Sequence, residues 1–229
     1  CRSVAPERPF VFGARAETTG NNRLGSRIVF QAGADSAQPL RALPWQLPMA
    51  PSSRQGDSMG PTFARDNAVE GAQAVRAGDA GWLVTFRFQR ELYAGWVDPT
   101  YNAIGALATV GAAGAEKGLP AVAWNGTEVL LVHSSRADRT QPWTLVAERV
   151  PVRGAPAAPQ PLASNAAAGE HTFAPSVAAL PNGWAVSYTT GPLTGAASGR
   201  ARQHVWLRAF DAAIAPRGVM ISRADSSRK

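Results

Sequence analysis

Cysteine, lysine and histidine are all scarce in this sequence. One Cys in 229 residues excludes an intrachain disulfide, and neither Cys-x-x-Cys nor any Cys/His metal-ligand spacing occurs. Lysine is confined to Lys117 and Lys229, so the formal charge of +7 is carried by arginine. Those arginines run from Arg2 to Arg228 without a basic cluster, and no zinc-finger, helix-turn-helix or RNP-type pattern accompanies them, which argues against nucleic acid as a partner. The three histidines, His133, His171 and His204, share no helical or hairpin spacing that suits a metal, and no metal and no cofactor are expected. Long apolar runs are also missing: the weakly polar stretch from Ala103 to Ala115 contains three glycines and falls short of the roughly 20 residues that cross a bilayer. Gly-x-Ser-x-Gly, the phosphate-binding P-loop and the dinucleotide Gly-rich loop do not occur.

What is present is a globular composition, 45% hydrophobic and 17% charged, in a chain long enough to bury a core. The strongest pattern in it is a repeat. Three segments align without a gap: Gln73 to Phe86, Pro120 to His133, and Pro175 to Tyr188. Val75, Val122 and Val177 form one column, and Trp82, Val129 and Trp184 form another seven residues later. Between the columns lie Gly78 to Gly81, Asn125-Gly126 and Asn182-Gly183, residues that take the positive φ of a tight turn. The period-two alternation that follows (Trp82, Val84, Phe86; Val129, Leu131, His133; Trp184, Val186, Tyr188) marks each unit as a β-hairpin. Val84, Leu131 and Val186 are expected to be inaccessible to solvent. Leu130 and Val132 are apolar as well, and a strand apolar on both faces is sandwiched between two sheets.

A third strand follows at Tyr93–Val97, Val146–Val150 and Trp206–Phe210, and a fourth at Ala106–Thr109, Gln160–Ser164 and Val219–Ser222. Four antiparallel strands per unit, at a column spacing of 47 residues (75 to 122) and 55 residues (122 to 177), give the arithmetic of a propeller blade. Polar inserts of unequal length, Ser135–Pro142 and Gly191–Gln203, separate strands two and three and belong on one rim. Residues 10–70 fit less well. Strands are expected at Pro9–Ala14, Arg27–Gln31 and Pro39–Leu47, followed by a long loop over Pro48–Asp66.

The fold class expected is therefore all-β: a β-propeller-like array of four-stranded antiparallel blades, with blades at 71–116, 117–170 and 171–226 and a degenerate first blade plus loop at 10–70. An open arc completed by a partner stands beside a closed four-bladed ring. The repeat pattern resembles the degenerate propeller repeats of many bacterial secreted and surface proteins, over about two thirds of the chain. Such repeats imply a scaffold and no common catalytic residue.

The only cysteine is Cys1, and it is followed by the polar, Pro-containing Arg2–Pro9. That arrangement resembles a mature bacterial lipoprotein, in which the first Cys carries a diacylglycerol. The resemblance implies lipid attachment at Cys1, residues 1–9 as a tether, and a location in the bacterial periplasm or at the cell surface, anchored to a membrane.

Candidate chemistry is sparse. Asp79, Glu91, Asp98, Glu148 and Asp211 fall at turns or third strands and read as solvated edge residues. Asn125-Gly126-Thr127 matches a glycosylation sequon but reads as the hairpin turn. The Asp-box turn of sialidase-like propellers is absent. Trp45 and Trp143, beside prolines, with Arg139 and Arg202 on the polar inserts, are the candidates for a partner-binding surface, because Trp and Arg dominate interface energetics. The function expected from all this is a non-catalytic, lipid-anchored scaffold subunit that binds a larger membrane protein complex, and not an enzyme. The alternative is a glycan-binding or glycan-hydrolysing propeller at the cell surface.

Overall fold

A computed structural model describes residues 10–19, 23–32, 41–47, 69–192 and 203–224. Cys1, the tether, the Pro48–Asp66 segment and Arg202 lie outside the described residues. The chain is all-β, and every strand pairs antiparallel with its neighbours in four successive sheets. The first sheet orders β1 (Phe10–Thr19), β2 (Arg23–Ala32) and β3 (Arg41–Gln46). The second orders β4 (Val69–Arg76), β5 (Trp82–Phe88), β6 (Glu91–Val97) and β7 (Ala103–Val110). In the third, β8 (Glu116–Lys117) and β9 (Ala121–Trp124) both pair with β10 (Glu128–Arg136), followed by β11 (Thr144–Pro151) and β12 (Gln160–Ala163). The fourth orders β13 (His171–Leu180), β14 (Gly183–Gly191), β15 (His204–Asp211) and β16 (Pro216–Ala224).

The core lies between sheets, in three apolar clusters that follow from the two-sided strands. Val84, Phe86 and Phe88 meet Trp45 and Leu47 between the first and second sheets. Leu83, Ala94 and Trp96 meet Val129, Leu131 and Val150 between the second and third. Leu130, Val132 and Leu145 meet Trp184, Val186 and Tyr188 between the third and fourth. Val84, Leu131 and Val186 are each 0% exposed, as their place on strand two requires.

One column of the repeat is out of phase. Val75 lies opposite Leu83, whose face meets the following sheet, whereas Val122 and Val177 lie opposite Leu131 and Val186, whose faces meet the preceding one. The reason is turn length. A short 3-10 turn at Gly78–Ala80 separates Arg76 from its partner Trp82 by five residues, while four separate Trp124 from Val129 and Ala179 from Trp184. Because side chains alternate faces with period two, one extra residue turns Val75 to the other side.

The turns at this end of the sheets also repeat. Asp98 and Asp211 each close a loop by donating their N–H to the carbonyl of the residue four on, Asn102 or Ala215. Their Oδ1 atoms accept the N–H of those same residues, at 2.8 Å in both cases. The Asn125 Oδ1 accepts from the backbone N–H of Thr127 (2.9 Å) and of Glu128 (3.0 Å), an Asx-type turn that accounts for the Asn-Gly-Thr sequence.

Candidate functional site at one rim

The antiparallel pairing brings the start of strand one, the end of strand two and the start of strand three of each sheet to the same rim. In the second sheet Glu70 on β4 lies directly opposite Arg87 on β5. In the third, Glu116 on β8 lies directly opposite Arg136 on β10. Both pairs close as charge-assisted hydrogen bonds: Arg87 donates from Nε to Glu70 at 2.8 Å and again through Nη2, and Arg136 donates from Nε to Glu116 at 2.7 Å and again through Nη2. The same Glu–Arg device is thus built at the same rim of adjacent sheets, two residues further along strand two in the third sheet, fixing both carboxylates in position.

A second layer joins the two pairs across the sheet boundary. Arg87 also donates Nη1 to the Lys117 carbonyl at 3.1 Å. The Lys117 side chain, almost fully buried, runs back to the second sheet and donates Nζ to Glu91 at 2.5 Å. Beneath it His133 is 0% exposed, with Nδ1 3.0 Å from the Ser134 carbonyl and Nε2 3.0 Å from Glu148 Oε1. A carbonyl only accepts, so Nδ1 carries a proton, and the His133–Glu148 pair holds a further one between Nε2 and the carboxylate. Gly111 sits where Lys117 and His133 converge: a Cβ there would stand 2.8 Å from Lys117 Cε and 3.2 Å from His133 Cε1.

Toward the fourth sheet the Arg136 guanidinium lies over the Trp143 ring, 4.4 Å from its centroid. The Trp143 backbone donates its N–H to His171 Nδ1 at 3.0 Å and accepts the Thr172 N–H at 2.8 Å. His171 Nδ1 is therefore unprotonated, and burial, helped by the positive charge of Arg136, holds the imidazole below its usual range. Hydrogen bonding to Arg136, with a further contribution from Arg139, holds Glu116 below the usual carboxylate range. The rim thus presents ionised Glu116, a neutral imidazole and an indole braced by an arginine, with Glu70 half-exposed on the neighbouring sheet. Among the described residues no group of three or more His, Cys, Asp or Glu is placed to hold a metal.

The residues expected to form a partner surface separate. Trp143 is at this rim, half-buried. Arg139 is beside it, 69% exposed, its Nε 3.2 Å from Glu116. Trp45 is elsewhere: it is 6% exposed, packed between the first and second sheets, with Nε1 donating to the Gly105 carbonyl at 3.1 Å. Gly95 makes room for it, since a Cβ there would fall 2.5 Å from the indole. Trp45 is a core residue and no contact surface includes it. One carboxylate read as a solvated edge is also corrected: Glu148 is buried against His133. Glu91, 40% exposed, is in addition the counter-ion of a buried lysine. Glu70, Arg87, Glu116, Lys117 and Arg136 had no role in the sequence pattern. The signal that marks them is pairing register: Glu on strand one opposite Arg on strand two, in two adjacent sheets.

No protein-family model and no curated protein matches the sequence. Solved structures do match. An alpha-L-arabinanase from Penicillium chrysogenum, complexed with arabinobiose, aligns over 96% of this chain and 67% of its own at 13% identity, with a TM-score of 0.44. A thermostable family-43 glycoside hydrolase aligns over 95% of this chain and 73% of its own at 10% identity, with a TM-score of 0.46. A GH93 alpha-L-arabinofuranosidase of Fusarium graminearum aligns over 96% and 68% at 14% identity, with a TM-score of 0.44. The fold is propeller-like. At these identities and scores no residue and no substrate transfers from those proteins to this chain. All three are glycoside hydrolases, which stands against the expectation of a non-catalytic scaffold that is not an enzyme.

Proposed function

We propose that this chain acts on glycans, binding a polysaccharide at the rim that carries Glu70, Glu116, Trp143 and His171 and hydrolysing it there. The observation that supports the reading is the Glu–Arg pair found on adjacent sheets, which sets two carboxylates at one rim, with Glu116 next to the Arg136–Trp143 stack. Glycoside hydrolysis uses two carboxyl groups on either side of the scissile bond, and sugar rings stack on indole faces through their C–H groups. In this reading Glu116, held ionised by Arg136 and Arg139, is the carboxylate that activates water or attacks the anomeric carbon. Glu70 is the second carboxyl, and the neutral His171 and Trp143 bind the sugar. No step requires a metal.

Release of reducing ends from a panel of soluble polysaccharides, arabinan included, tests the proposal. Wild-type protein is expected to release them from at least one member. Glu116→Gln is expected to lower the rate by at least about a hundredfold with the fold intact, the usual cost of removing an acid–base group. A wild type that neither binds nor cleaves any member contradicts the reading. Equal turnover by Glu116→Gln would remove Glu116 from it.

A further inference from the structure

We propose that His171 is the positioning residue for Trp143, and that it acts only as the neutral imidazole, so that glycan binding at this rim is released when the ring is protonated. The glycan part rests on the function proposed above, whereas the tie between the two residues rests on geometry alone. Trp143 stands where the polar insert after β10 returns to the third sheet, one residue before β11 begins. Two hydrogen bonds fasten its backbone to β13 of the fourth sheet. The Trp143 N–H donates to His171 Nδ1 at 3.0 Å, and the Trp143 carbonyl accepts the Thr172 N–H at 2.8 Å. One of the two bonds therefore depends on a side chain that titrates. Only a ring nitrogen with a free lone pair accepts an N–H, and both nitrogens of a protonated histidine are donors. Protonation sets N–H against N–H, and the bond is lost.

The same tautomer serves both ends of the ring. With Nδ1 accepting, the single proton of the neutral imidazole sits on Nε2, which has no hydrogen-bond partner among the described residues and so offers a sugar oxygen one fixed donor beside the indole. The charges around the ring favour this state. Arg136 of β10, held over the Trp143 ring and bonded to Glu116 of β8, adds its positive charge to burial in disfavouring the imidazolium. The other charged groups nearby are engaged elsewhere: Arg139 of the insert donates to Glu116, Asp138 accepts from Thr140, and Glu170 accepts from Asn165. From β14 the uncharged Gly191 stands opposite His171, and His204 of β15 lies near Trp206. No carboxylate among the described residues pairs with His171, so an imidazolium there gains no counter-ion in exchange for the bond it loses.

Titration of the ¹⁵N-labelled whole chain from about pH 8 to about pH 5, without glycan, tests the tie. The Trp143 amide is expected to shift with the same midpoint as the His171 ring, below the ordinary value of 6.5, while the amides of Asp98–Asn102 stay in place. The protection factor of the Trp143 amide is expected to fall at least about tenfold across that transition. His171→Asn, whose side-chain oxygen accepts an N–H without titrating, is expected to keep Trp143 protected and to abolish the pH dependence; His171→Ala is expected to leave it unprotected throughout. A Trp143 amide that stays still while His171 titrates overturns the proposal, and so does a His171→Asn variant that titrates like wild type. The glycan part is read by calorimetric titration with the polysaccharides of the activity panel. Wild type is expected to bind at least about tenfold more tightly at the higher pH than at the lower, as when an anchoring Trp is released, and His171→Asn equally at both. Equal wild-type affinity at the two pH values overturns that part. Absence of binding to every member contradicts the proposed function, and the amide titration then decides the tie by itself.

Discussion

His133 Nε2 lies 3.0 Å from Glu148 Oε1, with both side chains buried between the second and third sheets. In the two flanking sheets the His133 column holds Phe86 and Tyr188, so an ionisable pair occupies a place where the repeat elsewhere uses an aromatic ring. His133→Phe restores the aromatic but leaves the Glu148 carboxylate unpaired in the core. It is expected to cost about 3–5 kcal/mol in denaturant unfolding. Adding Glu148→Leu is expected to recover most of that loss, because a well-packed apolar pair is often as stable as the buried ionic one. A double variant no better than the single would contradict this account of the pair.

The Lys117–Glu91 bridge is asymmetric in burial, and its two halves differ in consequence. Lys117 is 2% exposed, while the Glu91 side chain is 40% exposed. Glu91→Gln strands an ammonium inside and is expected to cost about 2–4 kcal/mol. Lys117→Met leaves a carboxylate that water still reaches, and is expected to cost less than about 1.5 kcal/mol. Equal losses in urea unfolding would mean that the bridge does not act through burial.

The pH response of the rim has a defined sign. His171 is held below its usual value of 6.5, first by burial and then by Arg136. The unfolded chain therefore binds this proton more readily than the folded one, and folding stability contributed here is present above about 6.5 and falls as pH drops toward the folded value. Glu116, also lowered, contributes stability that is present above its unfolded pKa and is lost only as pH falls through the folded one. Arg136→Gln is expected to raise both values in an NMR titration, because it removes a hydrogen bond and a charge from Glu116 and a like charge from His171. No movement of either would separate Arg136 from the site.

Gly81 and Gly183 each precede the first Trp of strand two. A Cβ at Gly81 would fall 2.0 Å from the Val97 carbonyl oxygen, and one at Gly183 would fall 2.0 Å from that of Phe210. Both obstacles are backbone at the end of strand three, so relaxation must move a strand. Gly81→Ala and Gly183→Ala are each expected to destabilise by more than about 2 kcal/mol in thermal or denaturant unfolding, beyond the roughly 1 kcal/mol typical of a point substitution. Near-neutral alanine variants would show that the two strands separate more easily than the geometry implies.

Most of the architecture was legible because strand two announces itself. Trp82, Val84 and Phe86 and their counterparts alternate in a run that only a strand sandwiched between sheets tolerates, and the turns are rich in glycine. Strand one was less legible. Its register depends on turn length, and the ungapped alignment absorbed the extra residue before Trp82 while hiding the change of face at Val75. The site was hidden for a related reason. Strand one of the third sheet is broken into β8 and β9, and β4 carries a register shift between Glu70 and Gln73, so Glu70 and Glu116 sit at unequal distances from the repeat columns. Only the pairing with Arg87 and Arg136, themselves two positions apart in the repeat, shows the shared device. Trp45 misled because a Pro-Trp sequence reads as loop, whereas β3 runs through it.

The central claim is that the rim bearing Glu70, Glu116, Trp143 and His171 meets a glycan, and mapping amide shifts in ¹⁵N-labelled protein tests it most directly. Oligosaccharides from the polysaccharides of the activity panel are the titrants. The account predicts saturable shifts at Glu70, Arg87, Glu116, Arg136, Trp143 and His171, with the opposite rim at Asp98–Asn102 and Asn125–Glu128 unmoved. Shifts confined to that opposite rim, or none with any member of the panel, would contradict it.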